Sequence, residues 1–182
     1  DHFWDNGEAN LLKGLVLCAQ LDPTIQQKDK NLTKVYEILT GNNLMGTING
    51  VLAKTEYHAA KASFSLFAQS SETVRQGIIL GLGTRLQVLQ DQAVKQLVSR
   101  SDIDLTAPGK RKCAYYIILS DQETSMAFIS SLFFSFLFIK LTRFADSCPS
   151  GKCPIPVNMI LDEFNNIGRI GGAPDGSDFC RS

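Results

Sequence analysis

The run PVNMILDEFNN carries an apolar stretch straight into two adjacent acids, Asp162 and Glu163. Successive side chains of a β-strand face opposite sides. One carboxylate at such a strand end could therefore hold Mg2+ directly or through water, while its neighbour polarises a water attacking a γ-phosphate. The location suits that chemistry, because ligands of α/β sheets collect beyond the carboxyl ends of the strands. The dipeptide alone also fits a strand end whose acids are merely solvated. Lys110, Arg111 and Lys112, in GKRK, form a basic cluster and are candidate contacts for a nucleic-acid backbone. Lys54, Lys61, Lys95 and Arg100 are further candidates, but scattered cations usually just solvate a surface. GLGTR, residues 81–85, resembles half of a phosphate loop; no strand precedes it and the Lys-Ser/Thr pair is missing, so its glycines are read as packing. Arg85 could reach a neighbouring subunit.

Five cysteines make an odd set, with Cys18 in an expected helix and Cys113 in an expected strand, which points to reduced thiols in a cytosol. Cys148 and Cys153 bracket the turn-like CPSGKC, which could close a small disulfide or offer two metal ligands. The two histidines, His2 and His58, are not near them in sequence, and free thiols are the reading adopted.

The elements that must position these residues change character along the chain. Asp5 with Glu8 has the spacing of a capping box and predicts a helix over Asn6 to Leu21, with Leu11, Leu12, Leu15 and Val16 on its apolar face. A short helix follows at LTKVYEILT, with Leu32, Val35, Tyr36 and Leu39 inward and Gly41 as its stop. NNLMGTINGVLAKT and YHAAKASFSLFAQSS give two more. Ser70 or Ser71 then caps one long helix running to about Val98, striped by Val74, Ile78, Leu82, Leu86 and Leu89. Gly77, Gly81 and Gly83 inside it each cost about 1 kcal/mol against alanine and require a reason such as close helix contact or a kink.

At SDIDLTAPGKRK the helical series ends. CAYYIILS is a β-rich run of strand length, Ser120 and Glu123 cap a long helix, and VNMILDEF is a second strand. Strand, helix, strand makes a parallel crossover that normally belongs to a larger sheet. The helix is apolar nearly all round from Met126 to Ile139, shorter than the roughly 20 residues of a membrane span, and predicts burial on several sides. Eighteen basic and eighteen acidic residues cancel, so no field acts on the whole chain toward nucleic acid or membrane. No signal peptide opens the sequence.

Taken together, FWDNGEANLLKGLVL, GLGTRLQVLQD, SDQETSMAFISSLFFSFLFIKL and PVNMILDEFNNIGRI resemble the coupling proteins of type IV secretion systems, in the branch carried by conjugative elements of Gram-positive bacteria. Members of that family are membrane-anchored, hexameric, ATP-driven pumps whose RecA-like motor domain carries an inserted all-helical domain. The resemblance implies a mainly α fold: an inserted all-α domain over residues 1–101, then a partial RecA-like nucleotide-binding domain over 102–182. The latter would contribute a strand-helix-strand piece, with Asp162 serving Mg2+ through water and Glu163 positioning the attacking water. It further implies ATP and Mg2+ as cofactors of the parent protein, with a relaxase, relaxosome proteins, single-stranded DNA and secretion-channel components as partners. The chain would be a cytoplasmic part of a protein anchored in the bacterial cell membrane.

The sequence departs from the family pattern in lacking a GxxxxGK[ST] phosphate loop and a pair of N-terminal membrane helices. A middle segment of such a protein is the expectation, with neither nucleotide nor metal bound to this piece alone, and a monomer or weak oligomer rather than the parent's hexamer. Two further readings stay open: a helical binding module that selects cargo without chemistry, and a helical scaffold with no nucleotide chemistry at all.

Overall fold

The structure, a computed structural model, describes residues 2–54, 58–118 and 124–162. The described part is mainly helical: α1 (His2–Leu21), α2 (Leu32–Thr40), α3 (Leu44–Ala53), α4 (His58–Gln69), α5 (Glu72–Arg85), α6 (Gln92–Val98), α7 (Ala107–Lys110) and α8 (Thr124–Ser147), with 3-10 turns at Gln27–Asp29 and Gln87–Gln90. The chain divides into two compact units, Asp1–Arg100 and Ser101–Ser182.

In the first unit α1 is the axis against which α2, α3, α4 and α5 pack. Leu11, Leu15, Cys18 and Ala19 are its fully buried stripe, at three- and four-residue spacing. Leu12 and Val16, expected on that stripe, are only half-buried. Phe64 of α4 packs beside Gly14, its ring 3.7 Å from where a Cβ would stand, an ordinary contact distance. Helix starts follow local capping chemistry. Asn31 accepts the Lys34 N–H (3.1 Å) and Asn43 the Gly46 N–H (3.0 Å). Ser71, one of the two serines singled out for the role, accepts from Val74 N–H. Tyr36 buries its ring in the core, and its hydroxyl accepts from Gln90 Nε2 at 2.6 Å.

Two expectations are corrected here. Asp5 and Glu8 do not cap α1, whose described residues already run from His2. Both carboxylates are instead drawn to Arg85 at the end of α5, a tertiary partner that overrides the local motif. The long helix expected to reach Val98 stops at Arg85. Asp91 accepts from the N–H groups of Ala93 (2.8 Å) and Val94 (3.1 Å), so its side chain starts a new helix where a continuous one would have left it idle. Leu86 and Leu89, in the break, remain buried as the stripe required.

In the second unit α8 buries Phe134, Leu137 and Leu141, with Leu105, Phe133, Phe138 and Val157 packed against them. Its opposite side is open at Phe136 and Ile139, so the expected burial on several sides is not reached among the described residues. Ala127–Ser147 is long and apolar enough to cross a membrane by length and composition, a criterion that core helices also meet.

The two stretches read as strands, described over 113–118 and 157–162, form no strand among the described residues. A strand exists through its ladder to a neighbour; here Ile155 N–H donates to Gly109 C=O (3.1 Å) between the stretches leading into them. Exposure nevertheless alternates, at 37, 91, 41 and 95% along Tyr115, Tyr116, Ile117 and Ile118 and at 38, 95 and 40% along Met159, Ile160 and Leu161. That period of two is what an extended apolar segment shows when one face is partly covered and the other bare. Ser120 and Glu123, expected to cap α8, lie outside the described residues.

Candidate functional site

Asp162 lies in a turn directly after the extended apolar residues and is exposed. Glu163 lies outside the described residues. No group of three or more His, Cys, Asp or Glu side chains that could hold a metal occurs among the described residues. A dedicated protein cage for a cation is therefore absent from that part. One exposed carboxylate does suit Mg2+, which keeps several waters and takes one or two carboxylates together with phosphate oxygens.

The basic cluster is divided by its surroundings. Lys110 ends α7 with Nζ 3.4 Å from Asp104 Oδ2 and 5.4 Å from the centre of the Phe144 ring. Its charge is thus partly spent inside the unit. Asp104 Oδ1 accepts from the Thr106 hydroxyl (2.6 Å) and the Thr106 N–H (3.0 Å). The Thr106 hydroxyl, then its backbone amide, then Lys110 hold the Asp104 carboxyl down at a pKa of about 2. Tyr115 OH donates to the Asp104 carbonyl at 2.6 Å, tying the start of the extended stretch to the same loop. Arg111 and Lys112 are exposed. Lys54, Lys61, Lys95 and Arg100 lie on or beside three different helices of the first unit.

Sequence reasoning missed the Asp104 turn, although Asp-x-Thr is a known turn-forming pair and was the available signal. It also missed what Arg85 does. Arg85 Nη2 stands 2.6 Å from Asp5 Oδ1 and Arg85 Nε 2.8 Å from Glu8 Oε2, so it is committed within its own unit. Glu8 is buried, and its Oε2 meets Arg85 as an ion pair and has no hydrogen bond among the described residues. The Arg85 guanidinium, hydrogen-bonded to Asp5, lowers the Asp5 carboxyl below its ordinary value. Gly81 makes room for this: a Cβ there would overlap Glu8 Oε1 and stand 3.1 Å from Glu8 Cδ. A Cβ at Gly77 would meet the Trp4 ring at 2.9 Å, whereas one at Gly83 would meet nothing within 4 Å among the described residues. The packing reading of GLGTR is thus realised at Gly81, and nothing in the structure explains Gly83.

The first unit also carries an open groove of about 820 Å3 whose lining includes Asp22, Thr33, Lys34, Glu37 and Lys95. Thr33 Oγ1 is buried there with no hydrogen-bond partner among the described residues.

A family model described as type IV secretory system conjugative DNA transfer matches residues 1–182. No curated protein and no solved structure matches the chain at a significant level.

Proposed function

The chain belongs to the type IV secretory system conjugative DNA transfer family, and from that premise we propose that it is part of an ATP-driven coupling protein of the Gram-positive branch. Its role lies in DNA transfer by type IV secretion. In this reading the motor hydrolyses ATP to move relaxase-bound single-stranded DNA toward the secretion channel, and the first unit selects the cargo. The second unit contributes a strand-helix-strand piece of a RecA-like motor domain. The protein as a whole is a membrane-anchored hexamer with this part in the cytoplasm, meeting relaxosome and channel components.

The observation that carries the reading is the alternating exposure of the two apolar stretches, with Asp162 at the end of the second. Tyr116, Ile118 and Ile160, each more than nine-tenths exposed, are costly in water. Fully burying an Ile side chain is worth roughly 1.5–3 kcal/mol. Such stretches fit strands of a larger sheet that presents its acids at one edge. Asp162 would hold Mg2+ through water, and Glu163 would orient the water that attacks the γ-phosphate. The metal, when bound, supplies charge neutralisation on the phosphate oxygens. Arg111 and Lys112 are the cations of the GKRK cluster free to meet a DNA backbone; Lys110 is held by Asp104.

The test is made on the full-length protein with its phosphate loop, since none occurs among these 182 residues. Glu163→Gln should lower ATP turnover by about 100-fold or more while nucleotide affinity stays unchanged. Turnover at the wild-type rate would remove the hydrolytic role from this strand end. A second reading, a helical interaction scaffold without nucleotide chemistry, is favoured by the closed helical core of the first unit and its polar groove. Under it Glu163→Gln changes nothing, whereas substitutions lining the groove abolish partner binding.

A further inference from the structure

Cys148 and Cys153 have no role in the function proposed above, yet both thiols lie against the same end of α8. Cys148 Sγ donates to the Phe144 carbonyl (3.3 Å) and Cys153 Sγ to the Leu141 carbonyl (4.0 Å). Carbonyls three residues apart on a helix are about 5 Å from each other, so the two sulfurs are anchored on neighbouring acceptors. The chain between them turns back sharply. Gly151 N–H donates to the Cys148 carbonyl (2.9 Å), and Gly151 has φ of 65°, a conformation glycine adopts at no steric cost. Both cysteines are free and half-buried.

Cys153 is also wedged against α7. A Cβ on Gly109 would stand 2.8 Å from Cys153 Sγ and 3.2 Å from Phe144 Cδ1, and the Gly109 carbonyl accepts from Ile155 N–H. The sulfur thus sits where α7, α8 and the stretch leading to Asp162 meet.

We propose that Cys148 and Cys153 are a reversible dithiol, whose closure to an intramolecular disulfide draws Cys153 off Gly109 and loosens the hold of α7 on the stretch that ends at Asp162. The oxidant is a low-molecular-weight disulfide. The Cys148 thiolate attacks one of its sulfurs and releases one thiol. The Cys153 thiolate then attacks the Cys148 sulfur of the mixed disulfide and releases the second. The two protein thiols lose two electrons and two protons, and the oxidant is reduced to two thiols.

The experiment treats the 182-residue chain carrying Cys113→Ser and Cys180→Ser with oxidised glutathione, alkylates the remaining thiols, and maps peptides without reduction. The expected result is simultaneous loss of alkylation at Cys148 and Cys153 and their recovery in one cross-linked species. Cys148→Ser should leave Cys153 either alkylated or carrying a persistent glutathione. Persistent glutathione adducts on both cysteines of the unaltered pair, or full alkylation of both under conditions that oxidise an added model dithiol, would overturn the dithiol. Amide exchange at Ile155 tests the structural consequence: it should quicken several-fold on oxidation and recover with reductant, and stay constant in Cys148→Ser. A disulfide that forms while Ile155 exchange is unchanged would overturn the switch.

Discussion

Replacing Gly81 with alanine tests the α1–α5 seam on a contrast within one helix. An interior helical glycine normally costs about 1 kcal/mol against alanine, so Gly83→Ala, whose new methyl meets nothing within 4 Å, should stabilise the first unit by up to about that amount. At Gly81 the same gain is opposed. The methyl overlaps Glu8 Oε1, and the buried carboxylate must swing away from Arg85. Losing a hydrogen-bonded or ionic partner of a charged group costs about 1.5–3 kcal/mol, and Arg85, exposed to solvent by 62%, holds the total to the lower part of that range. The net for Gly81→Ala is a destabilisation of about 0.5–1 kcal/mol. For a unit of this size each kcal/mol shifts Tm by about 4–8 °C, so thermal unfolding followed by circular dichroism should move the two variants in opposite directions. Adding Glu8→Ala should erase the Gly81→Ala penalty relative to Glu8→Ala alone, since contacting residues are non-additive. Equal shifts of the same sign for Gly81→Ala and Gly83→Ala would refute the account of the seam.

Three further outcomes are expected. Cys18 is buried, and burial, then the Asp22 charge, pushes its thiol up to about 11; native-state alkylation at pH 8 should modify exposed Cys113 about two orders of magnitude faster, and comparable rates would count against the packed α1 stripe. Asp104, held at about 2, is below its unfolded value of about 3.9. Its folded pKa is depressed, so the stability it contributes is present above pH 4 and lost as pH falls from about 4 toward 2; an NMR titration of its carboxyl with an ordinary midpoint would remove the Thr106 and Lys110 contacts. For single-stranded DNA binding, Arg111→Ala with Lys112→Ala should flatten the dependence of log K on log salt by about 0.7 per lost phosphate contact, and Lys110→Ala should flatten it less; equal slopes for wild type and double variant would discard the cluster.

Local chemistry alone determined much of the first unit. The apolar spacing of α2, Asn31 and Asn43 ahead of their helices and Ser71 ahead of α5 are side-chain-to-backbone effects spanning three or four residues; α2 and α3 stand where the sequence placed them, and α5 starts there but ends at Arg85 rather than Val98. The identity of the helix breaker at Asp91 was equally local, but a continuing apolar stripe hid it. Contacts far apart in sequence could not be read that way. Asp5 and Glu8 have capping spacing, and only the approach of Arg85, 80 residues from Asp5, turned them into an ion-pair site. Gly77 and Gly81 announced a close contact without naming Trp4 and Glu8 as the groups that fill it. For the candidate acids, only an apolar run and its polar end were legible in the sequence. Whether such a run becomes a strand depends on hydrogen bonds from a neighbouring segment, a property of the assembled sheet that no single stretch of residues encodes.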